Sequence, residues 1–318
     1  LLKSNTFKHK YKLFIPDQIE FPSINPPSID PYFLGLYFGD GTKNLNEVSI
    51  TSMDLEIEQY CVEFSTQYSL NITKNNKGSR AKLYRFSHKS NCGRSNILLD
   101  SLREIVGQNF NIPASVKYGS IDTRLKFLAG FVDTDGYLHH GAYEIVQKRK
   151  DYIEDLAFIS RSLGFRANYK ECTKTIKNTG FSGKYWRLNI AGDISKIPVL
   201  ISRKKATKLE GRKQGKRTGF KLEYSGEETN YGFELDGDGR YLHGDFTVTH
   251  NSSALIHIAH DAALQGHNVL YVTAELSEDM IKRRFDACMT GVGIHDIKKY
   301  SGSVRGRIVS SPQFMATA

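Results

Sequence analysis

One apolar pattern occurs twice in this sequence, and it limits the possible folds more than any other feature. The first copy is YFLGLYFGDG at residues 32–41, and the second is KFLAGFVDTDG at residues 126–136. Each copy has the composition of a buried helix, contains a central glycine and ends in Asp-Gly. Because glycine has no side chain, it lets two backbones approach closely. The repeat therefore predicts two helices that pack side by side.

Segments of matching character follow each copy. After the first come EVSITS, DLEIEQYCVEFSTQYSL, ITK, KLYRFSH and NILLDSLREIVG, which alternate between strand and helix patterns. After the second come GAYEIVQ, DYIEDLAFISRSLGF, RANYKEC, YWRLNIAG and ISKIPVLI. We therefore predict a duplicated αββαββα unit of the α+β class. Fused duplicates usually meet about a pseudo-twofold axis, as the subunits of an isologous dimer do.

Asp40 and Asp135 fall at the C-terminal ends of the two predicted helices. A helix C-terminus carries partial negative charge, so a carboxylate there is unfavourable unless a cation is present. Two such carboxylates suit Mg²⁺, which takes few carboxylates and keeps waters and phosphate oxygens. Metal sites of this kind catalyse phosphodiester hydrolysis. A single copy would be explained by a core helix that ends in a turn, but two copies favour a metal site.

The charge of the chain points to a polyanionic partner. The 318 residues carry a net charge of +10, and neutralised phosphates release counterions on binding. The basic segment at 202–221 is either a solvated face or a surface that follows phosphates. No apolar run approaches the roughly 18 residues that a membrane span needs, and no signal peptide is recognisable. The four cysteines form no CxxC pair, which argues against zinc.

A different pattern appears at His250–Asn251–Ser252, where a strand-like segment runs directly into an apolar helix. An asparagine amide can attack its own backbone carbonyl and cut the chain, and a neighbouring histidine can protonate the leaving amine. A serine directly after it can accept an acyl group. The triplet also occurs in ordinary turns, so the surrounding sequence decides its meaning.

The segments FLGLYFGDG and LAGFVDTDG resemble the two motifs of the LAGLIDADG, or DOD-type, homing endonucleases. The resemblance covers residues 31–222. It implies a saddle of antiparallel strands in the major groove of double-stranded DNA, a Mg²⁺ cofactor and an endonuclease part that is monomeric. It assigns catalysis and metal binding to Asp40 and Asp135. The polar residues Thr51 and Gln147, on the first strand after each motif, are also assigned to catalysis.

The family carries a basic residue near each scissile phosphate. In the second repeat this resemblance selects Lys204, with Lys205 next to it. In the first repeat the family has Lys-x-Ile-Pro, whereas this sequence reads NFNIP, with Phe110 at the place of the lysine. Phe38 likewise replaces the first acidic residue of the motif. The residues expected to bind DNA are Arg203, Lys205, Lys208 and Lys148.

The departure at Phe110 leaves the chemistry of the first repeat open. The enzyme could nick one strand, cut weakly, or use another lysine such as Lys117 or Lys126. The alternative to a double-strand nuclease is a degenerate LAGLIDADG module that binds DNA or RNA without cutting both strands.

The segment GFELDGDGRYLHGDFTVTHN, followed by serine, resembles the C-terminal end of an intein. This implies that His250 assists, Asn251 cyclises and Ser252 is the acceptor, with no cofactor for splicing. An intein also needs a Cys or Ser as its first residue and a Thr-x-x-His motif. Neither is visible before Pro31, which implies truncation or a separate N-terminal half.

The final segment, SSALIHIAHDAALQGHNVLYVTAELSEDMIKRRFDACMTG, resembles the ATPase core of phage RecA-like replicative helicases. Ser252 then falls at the Walker A serine or threonine, and Glu275 at the catalytic glutamate. This implies a cytoplasmic setting in a bacterial or phage-infected cell. A plain helicase with an insertion is disfavoured, because no second ATPase motif follows.

Together these resemblances imply four parts and one combined function: Mg²⁺-dependent double-strand cleavage of the intein-less helicase gene, with splicing at Asn251–Ser252. The parts are residues 1–30 (linker or splicing-domain remnant), 31–222 (endonuclease, repeats 31–123 and 124–222), 223–251 (β-rich C-terminal part of a Hint splicing domain) and 252–318 (C-extein, a partial α/β RecA-like segment).

Overall fold

The computed structural model describes residues 12–22, 24–76, 78, 80–89, 96–107, 109–176, 181–207, 217–219, 240–250, 256, 259–260, 262–266, 268–269, 271 and 277–290. The chain divides into two compact units. The larger unit runs from Ile15 to Thr218, and the smaller unit combines residues 1–14 with residues 219–318.

The strands in chain order are β1 (Leu13–Phe14), β2 (Val48–Ser52), β3 (Leu70–Asn75), β4 (Lys82–His88), β5 (Gly136–His139), β6 (Ala142–Gln147), β7 (Arg166–Ile176), β8 (Phe181–Ala191), β9 (Arg217–Thr218), β10 (Arg240–Leu242) and β11 (Val248–His250). The helices are α1 (Pro31–Asp40), α2 (Leu55–Gln67), α3 (Ile97–Val106), α4 (Ala114–Lys117), α5 (Ile121–Asp135), α6 (Lys150–Ser162) and α7 (Glu278–Thr290).

Helices α1 and α5 coincide with the two copies of the apolar motif and begin at well-defined caps. The carboxylate of Asp30 accepts hydrogen bonds from the amides of Tyr32 (2.8 Å) and Phe33 (3.2 Å), with Pro31 at the first helical position. These bonds satisfy amides that have no partner within the helix. Ser120 caps α5 in the same way, because its hydroxyl accepts from the amide of a residue in the first turn.

The two helices cross at their central glycines. A methyl group on Gly35 would overlap the carbonyl oxygen of Phe127, and one on Gly130 would overlap the carbonyl oxygen of Tyr32. The reciprocal contacts relate the two helices by an approximate twofold axis. Near the C-terminal ends, Gly39 lies directly against a threonine of α5, so both helices end in the same place. The predicted side-by-side packing is confirmed.

Each half of the larger unit adds an antiparallel sheet to this helix pair. The first sheet has the strand order β2-β4-β3, and the second has the order β5-β6-β8-β7. Alternate side chains of each strand pack on the helices, among them Ile50 and Phe86 in the first sheet and Ile145 and Leu188 in the second. The opposite face of each sheet is available to a partner.

The two halves are less alike than predicted. The first half follows the order helix, strand, helix, strand, strand, helix, because the chain after α1 turns back on itself at residues 43–47 instead of extending. Only an isolated bridge between Gly41 and Ile50 remains where the second half has a full strand. The predicted αββαββα pattern is therefore incomplete in the first half.

The second half lacks the predicted final helix and ends in the short 3-10 helices Ile194–Lys196 and Ser202–Lys204. Pro198 has no amide hydrogen to donate. The amides of the two residues before Ser202 donate to the carboxylate of Asp133 at 2.6 and 3.3 Å. They are therefore not available for helical hydrogen bonds.

The larger unit begins at Ile15, earlier than the predicted boundary at residue 31. The amide of Ile19 donates to the carbonyl of Ser162 at 2.8 Å. Arg124, which is fully buried, donates to the carbonyl of Ile19 and lies 4.7 Å under the ring of Phe21. These contacts hold residues 15–22 on the larger unit, so the segment is part of its surface.

In the smaller unit, β11 pairs antiparallel with β10 over three residues and with β1 through Val248 and Phe14. β1, near the start of the chain, and β11, at the end of the predicted splicing segment, therefore lie in one sheet. Among the residues that the structure describes, no helix is both long enough and apolar enough to cross a membrane. Helix α7, Glu278–Thr290, also belongs to this unit.

Candidate active site

Asp40 and Asp135 are the last residues of the two paired helices, and the charge of Asp40 acts on the carboxyl group of Asp135. Loss of hydration, followed by the charge of Asp40, raises the pKa of Asp135 to about 6. Loss of hydration also raises the pKa of Asp40, although that residue is exposed, while two lysines oppose the shift. The site thus places two carboxylates at the negative ends of two helices, with Asp135 half-buried and Asp40 exposed.

Gln147 lies beside the second carboxylate. Its side-chain amide donates to Asp135 Oδ2 at 2.5 Å, which fixes the orientation of that carboxylate. The strand register identifies the residue of the first repeat that corresponds to Gln147. Gly136 pairs with Ile145 as Gly41 pairs with Ile50, and the residue two positions further is Gln147 in one case and Ser52 in the other.

The register therefore assigns Ser52, rather than the predicted Thr51, to the position of Gln147. Side chains alternate between the two faces of a strand, so a shift by one residue moves the side chain to the other face. Thr51 shares its face with Ser49, and pairs across the sheet with Leu83. The hydroxyl of Ser52 accepts from the amide of Asp54 at 3.2 Å.

Lys204 closes the C-terminal end of α5. Its buried ammonium donates to the carbonyls of Val132 (2.9 Å), Asp133 (2.8 Å) and Thr134 (3.1 Å). Loss of hydration lowers the pKa of Lys204, and the charges of Asp133 and other carboxylates, including Asp135, oppose the shift. Lys204, the predicted lysine of the second repeat, thus lies at the end of the helix whose last residue is Asp135.

Lys43 closes the C-terminal end of α1 in the same way, and the sequence analysis missed it. Its ammonium donates to the carbonyls of Tyr37 (2.7 Å), Phe38 (2.7 Å) and Gly39 (3.3 Å). Loss of hydration around the ammonium lowers the pKa of Lys43 to about 8, although much of the residue is exposed, and Asp135 and Asp40 oppose the shift. A lysine directly after a helix end is the signal that could have identified it.

Asp133 has a structural task in the second repeat. Its buried carboxylate accepts from the hydroxyl of Tyr32 at 2.6 Å and from the amides of Leu200 and Ile201. These bonds position the segment that leads to Lys204.

In the first repeat the corresponding residue is Phe38, whose ring lies 5.2 Å from that of Phe110. Phe38 also lies 5.7 Å from Phe127 and 5.6 Å from Tyr152. An aromatic cluster therefore stands where the second repeat has the carboxylate of Asp133. The backbone carbonyl of Phe110 is held by Arg149 and by the hydroxyl of Tyr152.

The remaining predicted basic residues lie elsewhere. Lys117 is paired with Asp155, and Lys126 with Asp122 at 2.8 Å, so neither reaches the end of α1. Arg203 is exposed and donates to both carboxylate oxygens of Asp54 at 2.7 Å. Lys148 and Lys205 are exposed.

The outer faces of the two sheets carry polar and basic side chains. In the first sheet, Arg85 lies opposite Ser49 and Thr73 in the register. In the second sheet, Arg187 lies opposite Lys170, with paired asparagines two positions away. Such faces offer hydrogen-bond donors and acceptors of the kind that read base edges and phosphates.

The donor set fits a divalent cation that keeps most of its own waters. Within the described ranges, no group of three or more His, Cys, Asp or Glu side chains could hold a metal ion. Asp40 and Asp135, the last residues of α1 and α5, are the two carboxylates available at the paired helix ends. Mg²⁺ takes one or two protein carboxylates and completes its shell with water and substrate phosphate, whereas Ca²⁺ and Zn²⁺ cages require more protein ligands.

The predicted splicing residues fall at the edge of the described part of the chain. The backbone of His250 is the last residue of β11 and pairs with Arg240. Asn251, Ser252 and Glu275 lie outside the described residues, as does Lys208.

Residues 111–200 match a protein-family model described as "Homing endonuclease". The chain contains a homing-endonuclease-like domain. The matched range includes α5, Asp135, Gln147 and the whole of the second sheet. It begins directly after Phe110.

Two relatives align with most of the chain. It is 26% identical over 211 residues to the probable translation initiation factor IF-2 of Methanocaldococcus jannaschii, and 24% identical over 249 residues to the homothallic switching endonuclease of Saccharomyces cerevisiae. These alignments cover 63% and 67% of this chain. They cover 16% and 42% of the relatives, so the chain spans less than half the length of either.

Two solved structures give distant likenesses. The crystal structure of I-DmoI in complex with DNA and Ca has a TM-score of 0.37 and 17% identity, and covers 51% of this chain and 82% of that chain. Full-length DUF199/WhiA from Thermatoga maritima has a TM-score of 0.36 and 11% identity, and covers 93% of each chain.

Proposed function

We propose that this chain is a LAGLIDADG-type endonuclease that cuts both strands of DNA, with Mg²⁺ held between Asp40 and Asp135. The observation that carries the proposal is the placement of two carboxylates at the ends of two helices that pack through glycine, where the charge of Asp40 raises the pKa of Asp135. Carboxylate repulsion and two helix dipoles make this arrangement unfavourable without a cation. The match of residues 111–200 to the homing endonuclease family supports the same function.

When bound, the cation would neutralise the carboxylates and the charge that develops on the phosphate under attack. The side chains around it keep the carboxylates in place. Gln147 fixes Asp135 through its amide, and Lys204 offsets the negative end of α5. In the first repeat we assign the position of Gln147 to Ser52, which replaces Thr51 in the proposal.

The proposed substrate is double-stranded DNA laid across the outer faces of both sheets, with Arg203, Lys205, Lys208 and Lys148 on phosphates. The charge of +10 and the basic side chains on these faces support it. Binding of this kind weakens steeply with added salt, because counterions are released from the phosphates. One copy of the endonuclease unit carries both carboxylates, which supports action as a monomer.

A supercoiled plasmid that carries the uninterrupted helicase coding junction tests the proposal. With Mg²⁺, the unaltered protein should convert the plasmid to its linear form, and Asp40→Asn and Asp135→Asn should not. Asp122→Asn is the matched control, because this carboxylate lies on the same helix but is exposed and paired with Lys126. Linear product from either active-site variant at the unaltered rate would refute the assignment of the site.

A nickase or a non-cutting binding module is the second candidate. The observation in its favour is the contact between Phe38, at the position of Asp133, and Phe110, at the place of the family's lysine. It predicts nicked circular plasmid, or tight binding with no product, from the unaltered protein in the same assay.

We further propose that the smaller unit is the C-terminal part of an intein, followed by a helicase fragment with Ser252 and Glu275 at its nucleotide site. The pairing of β11 with both β1 and β10 supports it, because β11 ends one residue before Asn251. In this proposal His250 protonates the leaving amine, Asn251 cyclises and Ser252 is the acceptor.

Mass spectrometry of the purified chain tests this second proposal. Cleavage between Asn251 and Ser252 should release a fragment that ends in a succinimide. Asn251→Ala should abolish that fragment, and His250→Ala should slow its release. A fragment of the same mass from Asn251→Ala would refute cyclisation as its source.

A further inference from the structure

The ends of α1 and α5 each hold one lysine ammonium in nearly the same arrangement. Lys204 Nζ donates to three consecutive carbonyls at the end of α5, from Val132 to Thr134. Lys43 Nζ donates to three consecutive carbonyls at the end of α1, from Tyr37 to Gly39. Under the motif alignment these are equivalent residues of the two helices. An ammonium has three donors, so both groups are fully used by the helix ends.

The two lysines reach these positions from different parts of the chain. Lys204 lies about 70 residues after its helix, in a segment that Asp133 holds by two amide hydrogen bonds. Lys43 lies in the loop directly after α1, and that loop turns back where the second repeat continues into β5. Because the first half has a turning loop where the second half has β5, Lys43 lies at the end of α1.

The aromatic residues of the first repeat accompany this change. The Lys43 ammonium lies 5.1 Å from the centre of the Phe110 ring and 5.7 Å from that of Tyr37. Rings at this distance attract a cation through their π-electrons. The ring of Phe110 thus lies beside the ammonium of Lys43. Phe38 occupies the position of Asp133, the carboxylate that holds the segment leading to Lys204 in the second repeat.

We infer that Lys43 takes the place of the lysine missing at Phe110, so that each carboxylate of the site has its own ammonium-capped helix end. The inference rests on the proposed endonuclease function. Lys43 is a positioning residue: it offsets the negative potential at the end of α1, beside Asp40, and does not itself reach the DNA. Both halves of the site are then complete, which favours a double-strand cut over a nick.

The test measures each strand separately. A plasmid with the uninterrupted junction is labelled on one strand or the other and treated with Mg²⁺ and the unaltered protein, Lys43→Met, Lys204→Met or Lys43→Arg. Lys43→Met should slow cleavage of one strand at least tenfold and accumulate nicked circles. Lys204→Met should slow cleavage of the opposite strand, and Lys43→Arg should restore linear product. Lys126→Met is the matched control and should cut as the unaltered protein does.

Two results in this assay would overturn the inference. One is linear product from Lys43→Met at the unaltered rate. The other is equal loss of cleavage in both strands without rescue by arginine, which is the signature of a purely structural defect. The double variant Lys43→Met/Phe110→Lys adds a further check, since it should regain cleavage of the affected strand.

If the unaltered protein cuts no DNA, the proposed function is refuted. A second readout still tests the role of Lys43 in that case. Calorimetry with Mn²⁺, in place of Mg²⁺, and no DNA reports how each lysine acts on the carboxylates. Removal of a nearby positive charge strengthens cation binding, so Lys43→Met and Lys204→Met should each tighten Mn²⁺ binding several-fold and to a similar extent. Tighter binding in Lys204→Met alone would contradict the equivalence of the two lysines.

Discussion

Replacement of Asp135 by asparagine should stabilise the protein in the absence of divalent cations, because the native carboxylate is ionised at a cost. Its pKa is raised from 3.8 to about 6, first by loss of hydration and then by the charge of Asp40. A difference of about 2 units corresponds to about 3 kcal/mol at neutral pH. Asp135 is only half-buried, so solvent screening reduces this, and we expect a gain of about 1–3 kcal/mol.

The sign of the effect follows from the titration of the carboxyl group. Above about pH 6 the group is ionised in both the folded and the unfolded chain, and the full cost applies. Below about pH 4 it is protonated in both, and the cost vanishes. The advantage of Asp135→Asn should therefore be complete above pH 6 and should disappear as the pH falls from about 6 to about 4.

Urea denaturation in EDTA, followed by circular dichroism across this pH range, measures the effect. Asparagine keeps an oxygen that can accept the hydrogen bond from Gln147, so that contact is preserved. Asp122→Asn is the control, and its exposed carboxylate should leave the stability within about 0.5 kcal/mol. Destabilisation by Asp135→Asn at neutral pH, or a gain that does not depend on pH, would refute the reasoning.

Three further substitutions test the packing around the site. Gly35→Ala should cost about 3 kcal/mol or more in urea denaturation, because its methyl group would meet backbone atoms of α5, whereas Gly244→Ala, with open space around it, should be neutral. Asp133→Ala should cost about 2–4 kcal/mol, because it leaves two amides and a tyrosine hydroxyl without an acceptor; an unchanged denaturation midpoint would contradict this. Arg124→Met should cost about 1–3 kcal/mol and reduce hydrogen-exchange protection at residues 15–22; undiminished protection there would count against the anchoring role of the guanidinium.

The paired helices could be predicted because the sequence repeats them. Each copy has an apolar stripe, a glycine where the other helix crosses, and Asp-Gly at its end, and these features are local. The positions of Asp40 and Asp135 follow directly from them. The sheets could be predicted as strands, but not their register, which places Ser52 rather than Thr51 at the position equivalent to Gln147.

Features that depend on contacts between distant residues were not predictable from local patterns. The final helix of the second repeat fails to form because Asp133, more than 60 residues earlier, accepts the amides that the helix would use. Residues 15–22 belong to the larger unit because of a buried arginine about 100 residues later. Lys43 escaped notice because its role depends on the loop that turns it back onto α1.

The most direct test of the account is whether Asp40 and Asp135 share one cation. Electron paramagnetic resonance can follow the binding of Mn²⁺, in place of Mg²⁺, to the protein without DNA. The account predicts binding by the unaltered protein that weakens at least about tenfold in both Asp40→Asn and Asp135→Asn, since each removes half of the carboxylate set. Mn²⁺ binding that survives either substitution unchanged would contradict it.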